Sequence, residues 1–374
     1  MIPFPYERPR MRSASLSVVL LLALSSTGCI TLSERSIDHN FDGLQSAMSR
    51  SGTTCMLLVH GMGGYSTGDP ETLISAIQVQ MHLRAMPPVS TQPESPKVDE
   101  NVGSLTRKDF VSPQGRVLRI YTLKWEPLTE GLKKQYLAYD DAKENTRMRL
   151  PLLNDVKQSL MNVNVPDVVL YVGGYKPVLQ KAVKAALGRI QHDLGDNKDY
   201  EYFFVTFSLG SKIVFDVVDE MDNEANVSDR EEIVDRTASF FMLANQLPLL
   251  GMGNVDPATT GYVSGYESML RFVRRKHQRK QSGTAPSGAT QPAGGNLSII
   301  AVSDPNDLFS YSIPPYVKQQ FPATFVNAVL SVATRGYWIP TEGYVINPME
   351  AHTGYGHNPD VINLIIKGWQ RKKN

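Results

Sequence analysis

The chain has two cysteines, Cys29 and Cys55, in 374 residues, so no disulfide framework holds it together. With 41% hydrophobic residues it can bury a core that needs no such staple. Charge of one sign is equally scarce. Its 38 Lys and Arg stand against 37 Asp and Glu, a formal net charge of +1, and nothing in that total suggests wrapping by nucleic acid. Metal hydrolysis and P-loop nucleotide use lack their minimum residues, because there is no H-E-x-x-H, no paired cysteine cluster and no G-x-x-x-x-G-K-[ST]. The apolar run near the start, Leu16 to Leu24, falls short of the about 20 residues a spanning helix needs. No internal repeat is present.

That short run carries a message of its own. Arg8, Arg10 and Arg12 precede it and Ser26-Thr27-Gly28-Cys29 ends it, the layout of a secretory signal. A cysteine directly after small residues at such a place resembles the bacterial lipoprotein lipobox, with Ser26 where leucine is usual. The resemblance implies a lipidated Cys29 and a cell-envelope location on a membrane; the alternative is an ordinary cleavable signal with an incidental Cys29. The chain then divides into a signal peptide at 1–28, a polar and partly disordered tether at 29–50, and a folded body at 51–374. Cys55 lies in an apolar strand, where a thiol acts as a small buried hydrophobe.

The body alternates strands with helices. A strand at Cys55 to Val59 precedes a helix opening at Asp69-Pro70, with Leu73, Ile74, Ile77 and Met81 on one face. A Pro-rich, charged loop is expected from Pro87 to about Asp109, then a strand from Val117 to Trp125. A charged helical insertion, about 126–160, reads either as a cover for a site or as solvated helices. Asp167-Val168-Val169-Leu170-Tyr171 leads to a helix starting near Pro177. Apolar runs at Tyr202 to Val205, Ser239 to Ala244, Leu297 to Val302 and Phe325 to Val332 predict further strands. The alternation predicts an α/β fold with a mostly parallel sheet covered on both faces. A flexible loop is expected at about 278–295. The basic cluster before it, Arg271 to Lys280, reads as a solvated helix end, with contact to anionic lipid head groups as the alternative.

Chemistry concentrates in Thr206-Phe207-Ser208-Leu209-Gly210, which follows an apolar β run and precedes Ile213, Val214, Val217, Val218 and Met221 at helical spacing. This is the layout of a nucleophile elbow, where small residues must flank the serine two positions away on each side. Gly210 meets that demand and Thr206 meets it less well. Gly64-Tyr65-Ser66-Thr67-Gly68 spells G-x-S-x-G more literally, but several loop residues part Ser66 from its strand. A serine nucleophile needs a base and a carboxylate to steady it. Asp304 and Asp307 both follow the strand Leu297 to Val302, and Asp307 has the apolar pair after it. His352 and His357 both precede a helix capped by Asn358. His352 is placed for catalysis; His357, pressed against the helix start, is placed for a structural or surface role. His60-Gly61-Met62-Gly63-Gly64 offers a Met62 backbone N–H as an oxyanion donor beside that of Leu209, with His60 structural.

Taken together, the His60 loop, the Ser208 elbow, the Asp307 loop and Ala351-His352-Thr353-Gly354-Tyr355 resemble an α/β-hydrolase of the esterase/lipase type over about residues 54–370. The resemblance implies cleavage of esters, possibly lipid acyl esters, through an acyl-enzyme, with Ser208, Asp307 and His352 as catalytic residues and no cofactor or metal. A silent scaffold or binding lipoprotein on the same fold, and an acyltransferase, are the alternatives.

Overall fold

The computed structural model describes residues 30–31, 35–63, 70–87, 103–141, 147–149, 154, 157–221, 227–252, 265–282, 297–333, 335–339, 343–346 and 348–371. Ser66, Cys29, Asp69 and most of the loop expected at 278–295 lie outside them.

The strands are β1 (Ile30–Thr31), β2 (Arg35–Ile37), β3 (Phe41–Asp42), β4 (Thr53–Val59), β5 (Arg84–Ala85), β6 (Ser104–Val111), β7 (Val117–Lys124), β8 (Tyr200–Phe207), β9 (Thr237–Leu243), β10 (Ser298–Ser303), β11 (Phe325–Leu330), β12 (Arg335–Ile339), β13 (Gly343–Ile346) and β14 (Gly368–Trp369). Among the described residues nine of them form one sheet, in the order β2-β11-β10-β9-β8-β4-β7-β6-β5. The six from β11 to β7 run parallel, and the edge pairings, β2 with β11, β6 with β7 and β5 with β6, are antiparallel. The four apolar runs from Tyr202 onward and the run at Cys55 are the central strands, as their continuous hydrophobicity predicts for strands buried on both faces.

The helices are α1 (Leu44–Arg50), α2 (Pro70–Gln80), α3 (Pro127–Leu137), α4 (Val165–Val172), α5 (Lys176–Leu194), α6 (Leu209–Glu220), α7 (Val227–Arg236), α8 (Leu247–Gly251), α9 (Glu267–Ser282), α10 (Pro315–Lys318), α11 (Pro348–Thr353) and α12 (Pro359–Lys367). Two cores result. On one face Leu57, Phe204 and Phe240 pack against α5, α6 and α9, with Phe215 stacked on Phe240 at 4.1 Å. On the other, Met56, Leu58, Phe203 and Val205 pack against α1, α2 and α12. Cys55 is a free, buried thiol, pushed up to about 12 by burial.

Three expectations are corrected. The segment at 29–50 is not a disordered tether from Arg35 on: β2 pairs with β11, and Phe41, Leu44, Ala47 and Met48 are buried in the core. Backbone pairing with a distant strand supplies the order that its polar composition hides. The charged loop expected to run to Asp109 ends earlier, because Ser104–Val111 is β6, paired with β7. Its charges are neutralised there, Arg107 bonding Asp109 and lying 3.1 Å from Asp193. The helix α9 continues to Ser282, through the start of the predicted flexible loop.

The run Asp167 to Tyr171 is itself helical, in α4, with Pro166 in its first turn. The basic cluster is largely paired: Arg271 and Arg275 with Asp219, Arg279 with Asp235 and Glu231, and Lys276 with the carbonyls of Val234 and Asp235. These pairings leave little charge for lipid head groups. No helix among the described residues is long and apolar enough to cross a membrane.

Candidate active site

Ser208 stands between β8 and α6 with φ 50° and ψ −121°, a conformation that side-chain-bearing residues rarely adopt. Such strain costs about 1–3 kcal/mol and persists only where the surroundings over-determine it. They do so here. The Ser208 N–H donates to Leu243 O in β9 at 2.7 Å, and a Cβ on Gly210 would come within 2.5 Å of His60 O. Only glycine fits at Gly210. Thr206 fits for a different reason: its hydroxyl donates to Phe241 O at 3.0 Å and lies 2.8 Å from Ser211 Oγ, so a larger residue is accommodated with its polar atom satisfied.

The His60 loop lies directly against the nucleophile. A Cβ on Gly61 would fall 2.6 Å from Ser208 Cβ. His60 anchors this loop. Its Nε2 accepts from the N–H groups of Trp125 (2.9 Å) and Glu126 (3.2 Å), which leaves Nδ1 to donate to Gly61 O, and its ring stacks on Trp125 at 4.3 Å. Complete burial pushes its pKa down to about 3, so the imidazole is neutral. Met62, buried, sits between Gly61 and Gly63. Leu209 opens α6, so its N–H has no acceptor within the helix and lies at the positive end of the dipole.

Sequence reasoning missed what holds the far side of that loop. Gly63, at φ 73°, donates its N–H to Asp167 Oδ2 at 2.7 Å, and Asp167 is fully buried and paired with Lys133 of α3 at 3.0 Å. Lys133 also donates to Val163 O. The helical insertion is thus bolted to the His60 loop. A lone acid opening the apolar run Asp167 to Tyr171 was the available signal.

Asp307 and His352 meet. The loop after β10 carries Asp307, whose Oδ1 and Oδ2 lie 2.8 Å and 3.0 Å from His352 Nδ1. A carboxylate only accepts, so Nδ1 carries the proton and Nε2 is left as the basic nitrogen. Oδ1 also accepts from the Phe309 N–H at 2.9 Å, and the Phe309 ring meets the imidazole edge-on at 5.2 Å. Asp304 does other work: its Oδ2 accepts from Val332 N (2.7 Å) and Ala333 N (3.2 Å), and its Oδ1 from Asn306 N (2.8 Å). It is a loop organiser beyond β10 and β11. Tyr355, unassigned from sequence, links the two acids, its buried hydroxyl accepting from Asp304 N (2.9 Å) and donating to Asp307 Oδ2 (3.0 Å). His357 is exposed, and Asn358 caps α12 through Asp360 N and Val361 N.

Ser208 Oγ is buried and, among the described residues, has no hydrogen-bond partner. The structure therefore joins Asp307 to His352, and the His60 loop to Ser208, without a hydrogen bond between Ser208 and His352. Such bonds are often long in ligand-free sites and tighten with substrate. No protein-family model, no curated protein and no solved structure matches this chain.

Proposed function

We propose that this chain is a serine hydrolase of the α/β-hydrolase type, cleaving carboxylic esters through an acyl-enzyme and held at a bacterial envelope membrane by a lipidated Cys29. The observation that carries the reading is the strained Ser208 backbone between a parallel strand and a helix, the geometry of a nucleophile elbow. The strand order supports it. Ser208 follows β8 and Asp307 follows β10, both past the carboxyl ends of parallel strands, where ligands bind in such sheets, and His352 is held there by its bond to Asp307.

In this reading His352 Nε2 takes the proton of Ser208 Oγ as the oxygen attacks the ester carbonyl carbon. Asp307 holds the resulting imidazolium, and the N–H groups of Met62 and Leu209 receive the oxyanion. Collapse breaks the bond to the alcohol, which leaves with the proton from His352. Water then repeats the sequence on the acyl-enzyme and frees the acid. Exposed Tyr136, Tyr139, Met148 and Met161 on and near the insertion favour an apolar, lipid-like acyl substrate.

The absence of a Ser208–His352 hydrogen bond favours one competing reading, a silent scaffold on the same fold. A fluorophosphonate probe separates the two. The full-length protein is expected to be labelled at Ser208 and to hydrolyse aryl esters, and an unlabelled, folded protein would make it a scaffold. The anchor has its own test. Cys29→Ser is expected to move the protein from the membrane to the soluble fraction or to leave its signal uncut, since thioether attachment needs the thiol and stable anchoring takes more than one acyl chain. Unchanged fractionation would refute lipidation at Cys29.

A further inference from the structure

We propose that Asp167 is a positioning residue for the oxyanion donor at Met62, acting through its bond to the Gly63 N–H. The inference rests on the serine-hydrolase reading and adds to that site a residue from α4. Asp167 stands in the first turn of that helix, the ordinary place for an acid, where it can complement the positive end of the dipole. Its bonds go elsewhere. Among the described residues neither oxygen takes an N–H of α4: Oδ2 accepts the Gly63 N–H at 2.7 Å, and Oδ1 faces Lys133 Nζ at 3.0 Å. Both partners are remote in sequence, Lys133 by 34 residues and Gly63 by 104.

Stability alone does not explain the pair. Asp167 and Lys133 are both buried, and taking two charges out of water offsets most of their attraction, so an apolar pair of similar size would hold the helices as well. What the ion pair supplies is a charged acceptor fixed at one point. The group at that point is the Gly63 N–H, and a bond from an N–H to a carboxylate is about twice as strong as one to a neutral acceptor.

The His60 loop is thereby pinned on both sides of Met62. Before it, His60 Nδ1 holds Gly61 O at 2.6 Å; after it, Asp167 holds the Gly63 N–H. Each peptide unit is planar, so the two bonds fix the planes on either side of the Met62 Cα, and the first of those planes carries the Met62 N–H. The loop so held lies against the nucleophile, since a Cβ on Gly61 would fall 2.6 Å from Ser208 Cβ and 3.2 Å from Ser208 Oγ. Freeing one of its two ends moves the donor relative to that oxygen, and a misplacement of about 1 Å can cost a hundredfold in rate.

Contact reinforces the bond at the same residue. Gly63 has φ 73°, and a Cβ there would run into Asn164 Oδ1 and lie 3.4 Å from Val163 Cγ1. Val163 and Asn164 end the π-helical turn Lys157–Asn164, and Val163 O accepts from Lys133 at 3.2 Å. Three residues just before and within α4 thus close on one glycine of the loop, and Lys133 of α3 holds two of them. Through Lys133 the helical insertion stands behind the oxyanion donor.

Two double substitutions isolate the bond. Asp167→Leu with Lys133→Met replaces the ion pair by an apolar pair and removes the acceptor. Asp167→Asn with Lys133→Met also removes both charges but keeps an oxygen for the Gly63 N–H. In full-length protein hydrolysing p-nitrophenyl butanoate well below either melting point, the leucine pair is expected to lower kcat by about a hundredfold with KM within about threefold. The asparagine pair is expected to restore kcat to within about tenfold of wild type. Equal kcat in the two, or a leucine pair as fast as wild type, overturns the assignment. Hydrogen exchange in the wild-type protein decides the matter should a variant not fold: the Gly63 amide is expected to exchange about a thousandfold or more slowly than in an unstructured peptide, and an unprotected amide overturns the assignment. If wild-type Ser208 is labelled by the fluorophosphonate while the kcat comparison or the protection fails, only the Asp167 assignment falls. If Ser208 is not labelled, the hydrolase reading falls and takes this one with it.

Discussion

Ser208→Ala is expected to lower ester hydrolysis to below about a thousandth of the wild-type rate while leaving the fold as stable as before. Loss of the nucleophile leaves only the catalysis that binding and oxyanion donors supply without it. The stability half of the expectation comes from the site itself. Ser208 Oγ has no hydrogen-bond partner among the described residues, so its removal breaks no bond, and deleting an unpaired buried hydroxyl is neutral to favourable. The Cβ that alanine keeps already packs against Gly61. Aryl-ester kinetics beside a thermal melt reads both. Activity retained above that level would direct attention to Ser66 as the nucleophile.

The two aspartates after β10 are expected to fail in different ways. Asp307→Asn should cut kcat by about four powers of ten, because an amide in that place both holds the wrong imidazole tautomer and leaves the imidazolium without its countercharge. Asp304→Asn should instead cost about 1–3 kcal/mol of stability, with kcat within about tenfold. Asp304 accepts from Val332, Ala333 and Asn306 N–H groups, and an NH₂ cannot serve on both sides of that set. Both substitutions are read by kcat and by denaturant midpoint. A large fall in kcat for Asp304→Asn with Asp307→Asn nearly active would reverse the roles assigned to them.

What could be read in the sequence was local. The strands β4, β8, β9, β10 and β11 announce themselves because a strand covered on both faces is apolar throughout, and the elbow because its serine, glycine and flanking patterns are contiguous. Asp307 and His352 were legible from their positions after a strand and before a capped helix. Features that depend on distant partners were not. β6 looks like a loop until Arg107 finds Asp193, and residues 35–50 look like a tether until β2 finds β11. Asp167 and Gly63 are 104 residues apart, and Tyr355 acquires its role only when the loops after β10 and β11 meet.

The pairing of β2 fixes a direction as well as an edge. Arg35 lies opposite Leu330, the last residue of β11, and Ile37 opposite Ala328, so the chain enters the sheet at the same end that carries Ser208 and Asp307. Ile30 and Thr31 are also held, against Gly336 and Arg335. Cys29 is six residues from Arg35, a reach of at most about 20 Å when fully extended. Under the proposed lipidation of Cys29, that short leash would bring the end of the sheet that carries Ser208 close to the bilayer and point the opposite end away from it. A substrate embedded in the same leaflet would then lie within range of Ser208, whereas a bulky polymer arriving from the aqueous side would have to pass through a gap about 20 Å high.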